Sequence, residues 1–162
     1  TIDTPGGPVS FPCGTYQYVN FGQVKLEGVE VEVNYDARSW FAIVGASHIR
    51  GTDEETGDPL LSVPADQITA TRGVRALDDK FVAGARGRVG AAQDRVPPSS
   101  LTLATESYTV FDVFAQYEVS DNATLNLNID NIFDKDYRQY LDLLDDPGLN
   151  ARIGLTMRLG AN

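Results

Sequence analysis

The stretch Ala123-Thr124-Leu125-Asn126-Leu127-Asn128-Ile129-Asp130 decides the fold class. Leu125, Leu127 and Ile129 fall on one face of an extended chain; Asn126, Asn128 and Asp130 fall on the other. A helix would scatter these residues around its axis, whereas a strand sorts them cleanly, because its side chains alternate with a period of two. The same period returns on both sides. Upstream, across Ser107 to Val119, Phe111, Val113, Ala115, Tyr117 and Val119 alternate with Asp112, Phe114, Gln116 and Glu118. Downstream, Ala151, Ile153, Leu155, Met157 and Leu159 alternate with Arg152, Gly154, Thr156 and Arg158.

Four earlier segments follow the rule less strictly. Val29, Val31, Val33 and Tyr35 alternate with Glu30, Glu32 and Asn34. The parity slips between Leu26 and Val29, which predicts a bulge near Gly28. Trp40 to Ile49 is apolar on both faces. Gln67 to Ala76 and Phe81 to Ala92 read as strands with many small residues, and in the second Phe81, Ala83, Ala85, Val89 and Ala91 oppose Arg86 and Arg88. The total is about seven strands. Their connections alternate in kind. Asp36-Ala37-Arg38, Leu77-Asp78-Asp79 and Ser120-Asp121-Asn122 are tight turns, whereas Gly51–Asp66, Gln93–Glu106 and Phe133–Gly148 are long. Short, long, short, long describes an up-and-down antiparallel sheet with tight turns at one end and long loops at the other.

Composition removes several function classes. The chain has 162 residues, room for one domain. With 13 Lys+Arg against 23 Asp+Glu, the net charge of −10 argues against nucleic acid as a partner. Cys13 is the only cysteine and His48 the only histidine, so neither an internal disulfide nor a multi-Cys or multi-His metal site can form. Five acids lie in Gly51–Asp66 and five in Phe133–Gly148, so ten of the 23 sit in two long loops. No nucleophile–base pair, phosphate-binding glycine loop or metal-ligand cluster stands out, and no enzyme activity is expected.

Alternation alone does not separate a soluble sandwich, with its apolar face inward, from a membrane barrel, with that face on lipid. Three features favour the barrel. The polar faces carry paired charges and amides. Tyr35, Trp40, Phe81 and Tyr117 all border the tight turns, where an aromatic girdle would lie. The alternating stretches approach the roughly 9–11 residues that a tilted strand needs to cross a bilayer. Short turns at one end and long loops at the other are also the usual asymmetry of such barrels.

The run Asn126-Leu127-Asn128-Ile129-Asp130-Asn131-Ile132-Phe133-Asp134-Lys135-Asp136-Tyr137-Arg138 resembles the penultimate-strand signature of TonB-dependent outer-membrane receptors. Pro147-Gly148-Leu149-Asn150-Ala151-Arg152 through Leu159 resembles their closing strand. Tyr18-Val19-Asn20 with Glu27-Gly28-Val29-Glu30-Val31-Glu32 is similar to another strand of the same barrels. The resemblance implies an all-β fold: about seven up-and-down transmembrane strands, part of a plugged barrel of about 22, with short periplasmic turns and long extracellular loops. It implies residues 1–15 as an extracellular segment and 16–162 as the C-terminal part of a receptor barrel in the bacterial outer membrane. The chain departs from the family in carrying no plug domain or TonB box, and in ending with Gly160-Ala161-Asn162 rather than a terminal aromatic. It therefore reads as a segment of a receptor.

The implied function is active uptake of haem or a ferric siderophore; the entry into the last strand leans toward the haem branch. Neither is a resident cofactor: each would be the transported ligand. Outer-membrane lipid and the TonB system, reached through a plug absent here, are the implied partners. Two other readings remain: a small outer-membrane barrel acting as an adhesin or structural protein, whose seven strands break the even count of bacterial single-chain barrels, and a soluble β-sandwich or lipocalin-like binding module.

Candidate ligand-binding residues lie in the last long loop. Tyr137 and Tyr140 could supply tyrosinates to ferric haem, and Arg138 could pair with a propionate or siderophore carboxylate. The plainer reading is that these residues pack at an outer rim. His48 is read as a lumen or rim histidine in preference to a haem ligand. Asp53-Glu54-Glu55 with Asp58 lacks calcium-loop spacing and reads as a solvated loop. Cys13 could pair with a cysteine further upstream.

Overall fold

The computed structural model describes residues 2–4, 7–9, 22–98, 100 and 102–159. Strands β1 (Ile2–Thr4) and β2 (Gly7–Val9) pair as a small hairpin. The other seven strands form one sheet: β3 (Val24–Asp36), β4 (Trp40–Asp53), β5 (Gln67–Ala76), β6 (Phe81–Gly90), β7 (Tyr108–Ser120), β8 (Ala123–Asp130) and β9 (Asn150–Met157). Spatial order follows chain order and every neighbouring pair is antiparallel. This is the up-and-down meander expected from the alternation of short and long connections. Tyr18-Val19-Asn20, Cys13 and Gly160-Ala161-Asn162 lie outside the described residues.

The register sorts the side chains of all seven strands. Val31 opposes Ala46, Ala46 opposes Ile68, and Ile68 opposes Val89. Further along, Ala85 opposes Val113, Val113 opposes Ile129, Leu127 opposes Ile153, and Leu125 opposes Leu155. Opposed residues share a face, so these side chains form one continuous apolar surface. Glu30, Glu32, Thr69, Arg86, Arg88, Asp112, Asn126, Asn128, Asp130 and Arg152 fall on the other.

The apolar face has nothing packed on it. Val29 is 64% exposed, Ile153 75% and Leu155 59%. Burial lies elsewhere: Val63, Ala65, Gln93 and Thr105 are buried in the long loops, and Tyr108, Val110 and Asp112 on the polar face beneath them. A soluble sandwich would bury its apolar face in a dry core, and among the described residues there is none.

The predicted bulge near Gly28 is corrected. Strands β3 and β4 pair without a register shift from Val24↔Asp53 to Asp36↔Phe41. Leu26 simply lies on the polar face near the long-loop end, opposite Gly51. Gly28 serves close approach instead, because a Cβ there would sit 2.6 Å from the His48 carbonyl oxygen. The shift that does occur lies between Glu118 and Ser120, beside the Asp121–Asn122 turn. The other tight turns span 37–39 and 77–80. In the latter, Leu77, Asp78 and Asp79 all adopt positive φ.

The aromatic girdle forms at the tight-turn end. The Tyr35 and Trp40 rings lie 4.7 Å apart, and Phe81 opposes Tyr117 across β6 and β7. On the polar face, glycines make room for rings. A Cβ at Gly84 would lie 2.5 Å from both the Phe114 ring and the Arg72 carbonyl oxygen, so cross-strand packing requires glycine there.

Candidate functional site

The three long loops rise from one end of the sheet and form a platform with two anchored halves. The first joins the loop after β4 to the loop after β6. Gln93 pairs with Thr105 through reciprocal backbone hydrogen bonds of 2.9 and 3.0 Å. Its side-chain Nε2 donates to the Val63 carbonyl at 3.0 Å. Arg50, near the end of β4, donates to both oxygens of Asp66 at 2.6 and 2.9 Å. Such a bidentate pair fixes geometry as well as charge. The Arg50 guanidinium holds the Asp66 carboxyl down at about 2, against a desolvation effect in the other direction. His48 Nδ1 lies 2.9 Å from the same carboxylate. Its register opposite Val29 puts His48 on the apolar face at the long-loop rim, not in the lumen.

The second half rests on Asp112. This carboxylate is 6% exposed. It accepts from the Asn131 backbone N–H at 3.0 Å and lies 3.3 Å from Arg88 Nε. Asn131, 2% exposed and at positive φ, then organises the loop after β8. Its side chain donates to the carbonyls of Lys135 (2.8 Å) and Pro147 (3.3 Å), and accepts from the Lys135 N–H at 2.9 Å. Gln139 and Asp146 close the loop's neck, and Asp134 accepts from the Leu149 N–H.

Tyr137 and Arg138 are brought to one place. Both line a cleft of about 370 Å³ with Tyr108, Glu106, Lys135 and Asp145. The Tyr137 ring packs 4.7 Å from that of Tyr108. Arg138 also borders a second recess with Leu103, Leu141 and Leu143, and forms no ion pair among the described residues. Tyr140 does not line the cleft; its hydroxyl is buried without a hydrogen-bond partner. Burial pushes the Tyr137 phenol up, with Arg88 opposing and Asp146 reinforcing the shift. Burial does the same to Tyr140, with Arg95 opposing. Both side chains are therefore neutral phenols near neutral pH. They suit hydrogen bonding and stacking better than ligation of iron as tyrosinates.

The acidic run makes no cation site. Asp53 Oδ1 caps its own turn, accepting from the N–H groups of Glu55 and Thr56. Among the described residues, no group of three or more His, Cys, Asp or Glu could hold a metal ion.

A family model described as TonB dependent receptor-like, beta-barrel matches residues 1–132. The chain belongs to that family. Among curated proteins it is 28% identical to the heme/hemopexin utilization protein C of Haemophilus influenzae strain 86-028NP, over 94% of this chain and 22% of that protein. It is also 28% identical to the ferripyoverdine receptor of Pseudomonas aeruginosa, over 78% of this chain and 16% of the receptor. Among solved structures, the copper transporter OprC superposes with a TM-score of 0.76 at 19% identity, over 83% of this chain and 24% of its own. The chain thus spans about a fifth of the length of these curated relatives. The family is one of receptors and transporters rather than enzymes, and its barrels lie in the bacterial outer membrane. The apolar face is accordingly the lipid face and the polar face the lumen. The tight turns are periplasmic and the loop platform is extracellular.

Proposed function

We propose that this chain is the C-terminal wall and part of the extracellular mouth of a receptor that takes up haem or a ferric siderophore. Residues 1–15 would belong to an extracellular segment and 16–162 to the barrel. One observation carries the reading: the platform presents Tyr137 and Arg138, which has no ion pair among the described residues, in a cleft at the extracellular end of a charged lumen wall. Haem propionates and siderophore carboxylates are anionic and attached to flat or conjugated bodies. A guanidinium beside a neutral phenol and stacked rings suits such a ligand. The relatives named above include both a haem-utilisation protein and a ferric siderophore receptor, which supports either cargo.

In this reading the chain captures ligand and does not move it. Transport would be driven by TonB through a plug domain in the remainder of the receptor. Tyr137 and Arg138 would contact ligand directly, with Tyr140 supporting the loop from beneath. The test is ligand titration of the intact receptor carrying Arg138→Ala. Loss of one charge-assisted contact should weaken haem or siderophore binding about tenfold. Unchanged affinity for both ligand classes would remove Arg138 from the site.

A further inference from the structure

Three basic residues of the strands fall on the lipid face among the described residues: Lys25 and Arg50, at the long-loop rim, pair with Glu27 and Asp66, whereas Arg72 lies toward the tight turns. It opposes Ala42 on β4 and Ala85 on β6, both members of the apolar surface. Its guanidinium carbon lies 5.6 Å from the centre of the Trp40 ring, so the side chain bends toward the periplasmic girdle. Trp40 opposes Val74, one alternation nearer the tight turn. At the rise and tilt of a barrel strand, the Arg72 backbone therefore sits about 5 Å deeper in the bilayer than that of Trp40. The side chain reaches back to the interface, as long basic side chains do when rooted in hydrocarbon. No carboxylate pairs with it among the described residues. Arg75 provides the contrast: three residues along, on the lumen face and close to the turn, it is held by Asp36 at 2.6 Å.

The neighbouring side chains on the lipid face are small. Ala42, Ala85, Ala70 and Ala83 surround Arg72, while Trp40 stands at its periplasmic side and Tyr35, stacked on Trp40, lies beyond Ala42 in the same cross-strand row. A cation without a carboxylate partner on the lipid face, reaching headgroup depth beside an aromatic pair and among small side chains, suits an anion delivered from the membrane. We propose that Arg72, Trp40 and the surrounding alanines form a binding site for the phosphate of an anionic glycerophospholipid in the periplasmic leaflet. The guanidinium donates to the phosphate oxygens, Trp40 holds the guanidinium from one side, and the upper acyl chain lies over Ala42 and Ala85. The site rests on the membrane orientation of the barrel and not on the identity of its cargo.

The test uses the intact receptor, reconstituted with defined mixtures of phosphatidylglycerol and phosphatidylethanolamine and then delipidated stepwise. Retained lipid is counted by native mass spectrometry. Arg72→Gln should reduce retained phosphatidylglycerol about fivefold, the effect of one basic residue at an anionic surface. Arg72→Lys should retain an intermediate amount, and lumen-facing Arg75→Gln should match wild type. Ala85→Leu, which adds bulk beside Arg72 and leaves the charge in place, should also lower retention, and it keeps the proposal testable if Arg72→Gln fails to fold. Wild-type retention in folded Arg72→Gln or in Ala85→Leu overturns the proposal, as does equal loss of both lipids. Ligand titration on the same samples separates the two readings: a receptor that holds phosphatidylglycerol through Arg72 but binds neither haem nor siderophore keeps the lipid site and loses the proposed cargo.

Discussion

Asp112 accepts from the Asn131 N–H while neutralising Arg88, and Asn131 in turn pins Lys135 and Pro147. Removing that carboxylate leaves a half-buried guanidinium and a buried N–H unpaired. Asp112→Ala should cost about 3 kcal/mol and free the loop after β8, measured as faster protease cleavage between 131 and 149 in the intact receptor. A cleavage rate equal to wild type would contradict this anchoring. Asp66 gives a pH signature. Its carboxyl titrates near 3.8 when free and at about 2 when paired with Arg50. A depressed carboxylate contributes stability that is present above its unfolded value and lost as pH falls through its folded value. Packing of the first two loops should therefore be constant from neutral pH to about 4 and loosen between about 4 and 2, by about 1 kcal/mol at most for so exposed a pair. Hydrogen exchange at Val63 and Gln93 across that range checks it. At this scale the sequence was only partly legible. Tyr137 and Arg138 were visible as an aromatic–cation pair in a long loop. Asp112 looked like any polar slot in an alternating strand, because the groups it holds lie 19 and 24 residues away.

Strands were far more legible, because alternation is a local property and the register only has to preserve it. The reading of 67–76 as a strand matches β5 at both ends, and those of β6 to β9 differ by one or two residues. Gly28 misled because a parity change can mean a bulge or merely an apolar residue on the lumen face, and Leu26 is the second. His48, read as a lumen or rim histidine, lies at the rim on the outer face, where Asp66 pairs with it. The face assignment makes an asymmetric prediction. Leu127 is on the lipid face near the middle of β8, and Asn128 is beside it on the lumen face. Leu127→Arg should destabilise the intact barrel by about 2–4 kcal/mol, whereas Asn128→Arg should cost little. Unfolding followed by heat-modifiable electrophoretic mobility measures both. Equal penalties would contradict the assigned faces. Labelling of intact cells should likewise reach 54–66 and 131–149 and spare 37–39 and 121–122.

The molecule as a whole is an open sheet whose edge strands, β3 and β9, each have one unpaired side among the described residues. Unpaired backbone groups in hydrocarbon cost several kcal/mol each, and in water such edges invite association. The chain expressed alone should aggregate, and a monodisperse ligand-binding monomer of 162 residues would contradict that. Burial follows the same logic, since the described core lies in the loop platform and under it while the broad apolar face has no protein cover. In the membrane, lipid covers that face. The most direct measurement is spin-label accessibility at single cysteines placed successively from 125 to 129 in the membrane-reconstituted receptor, with Cys13 replaced. Positions 125, 127 and 129 should be open to oxygen dissolved in the bilayer, and positions 126 and 128 to a water-soluble nickel relaxant. Reversed alternation, or equal accessibility to both probes along the strand, would contradict it.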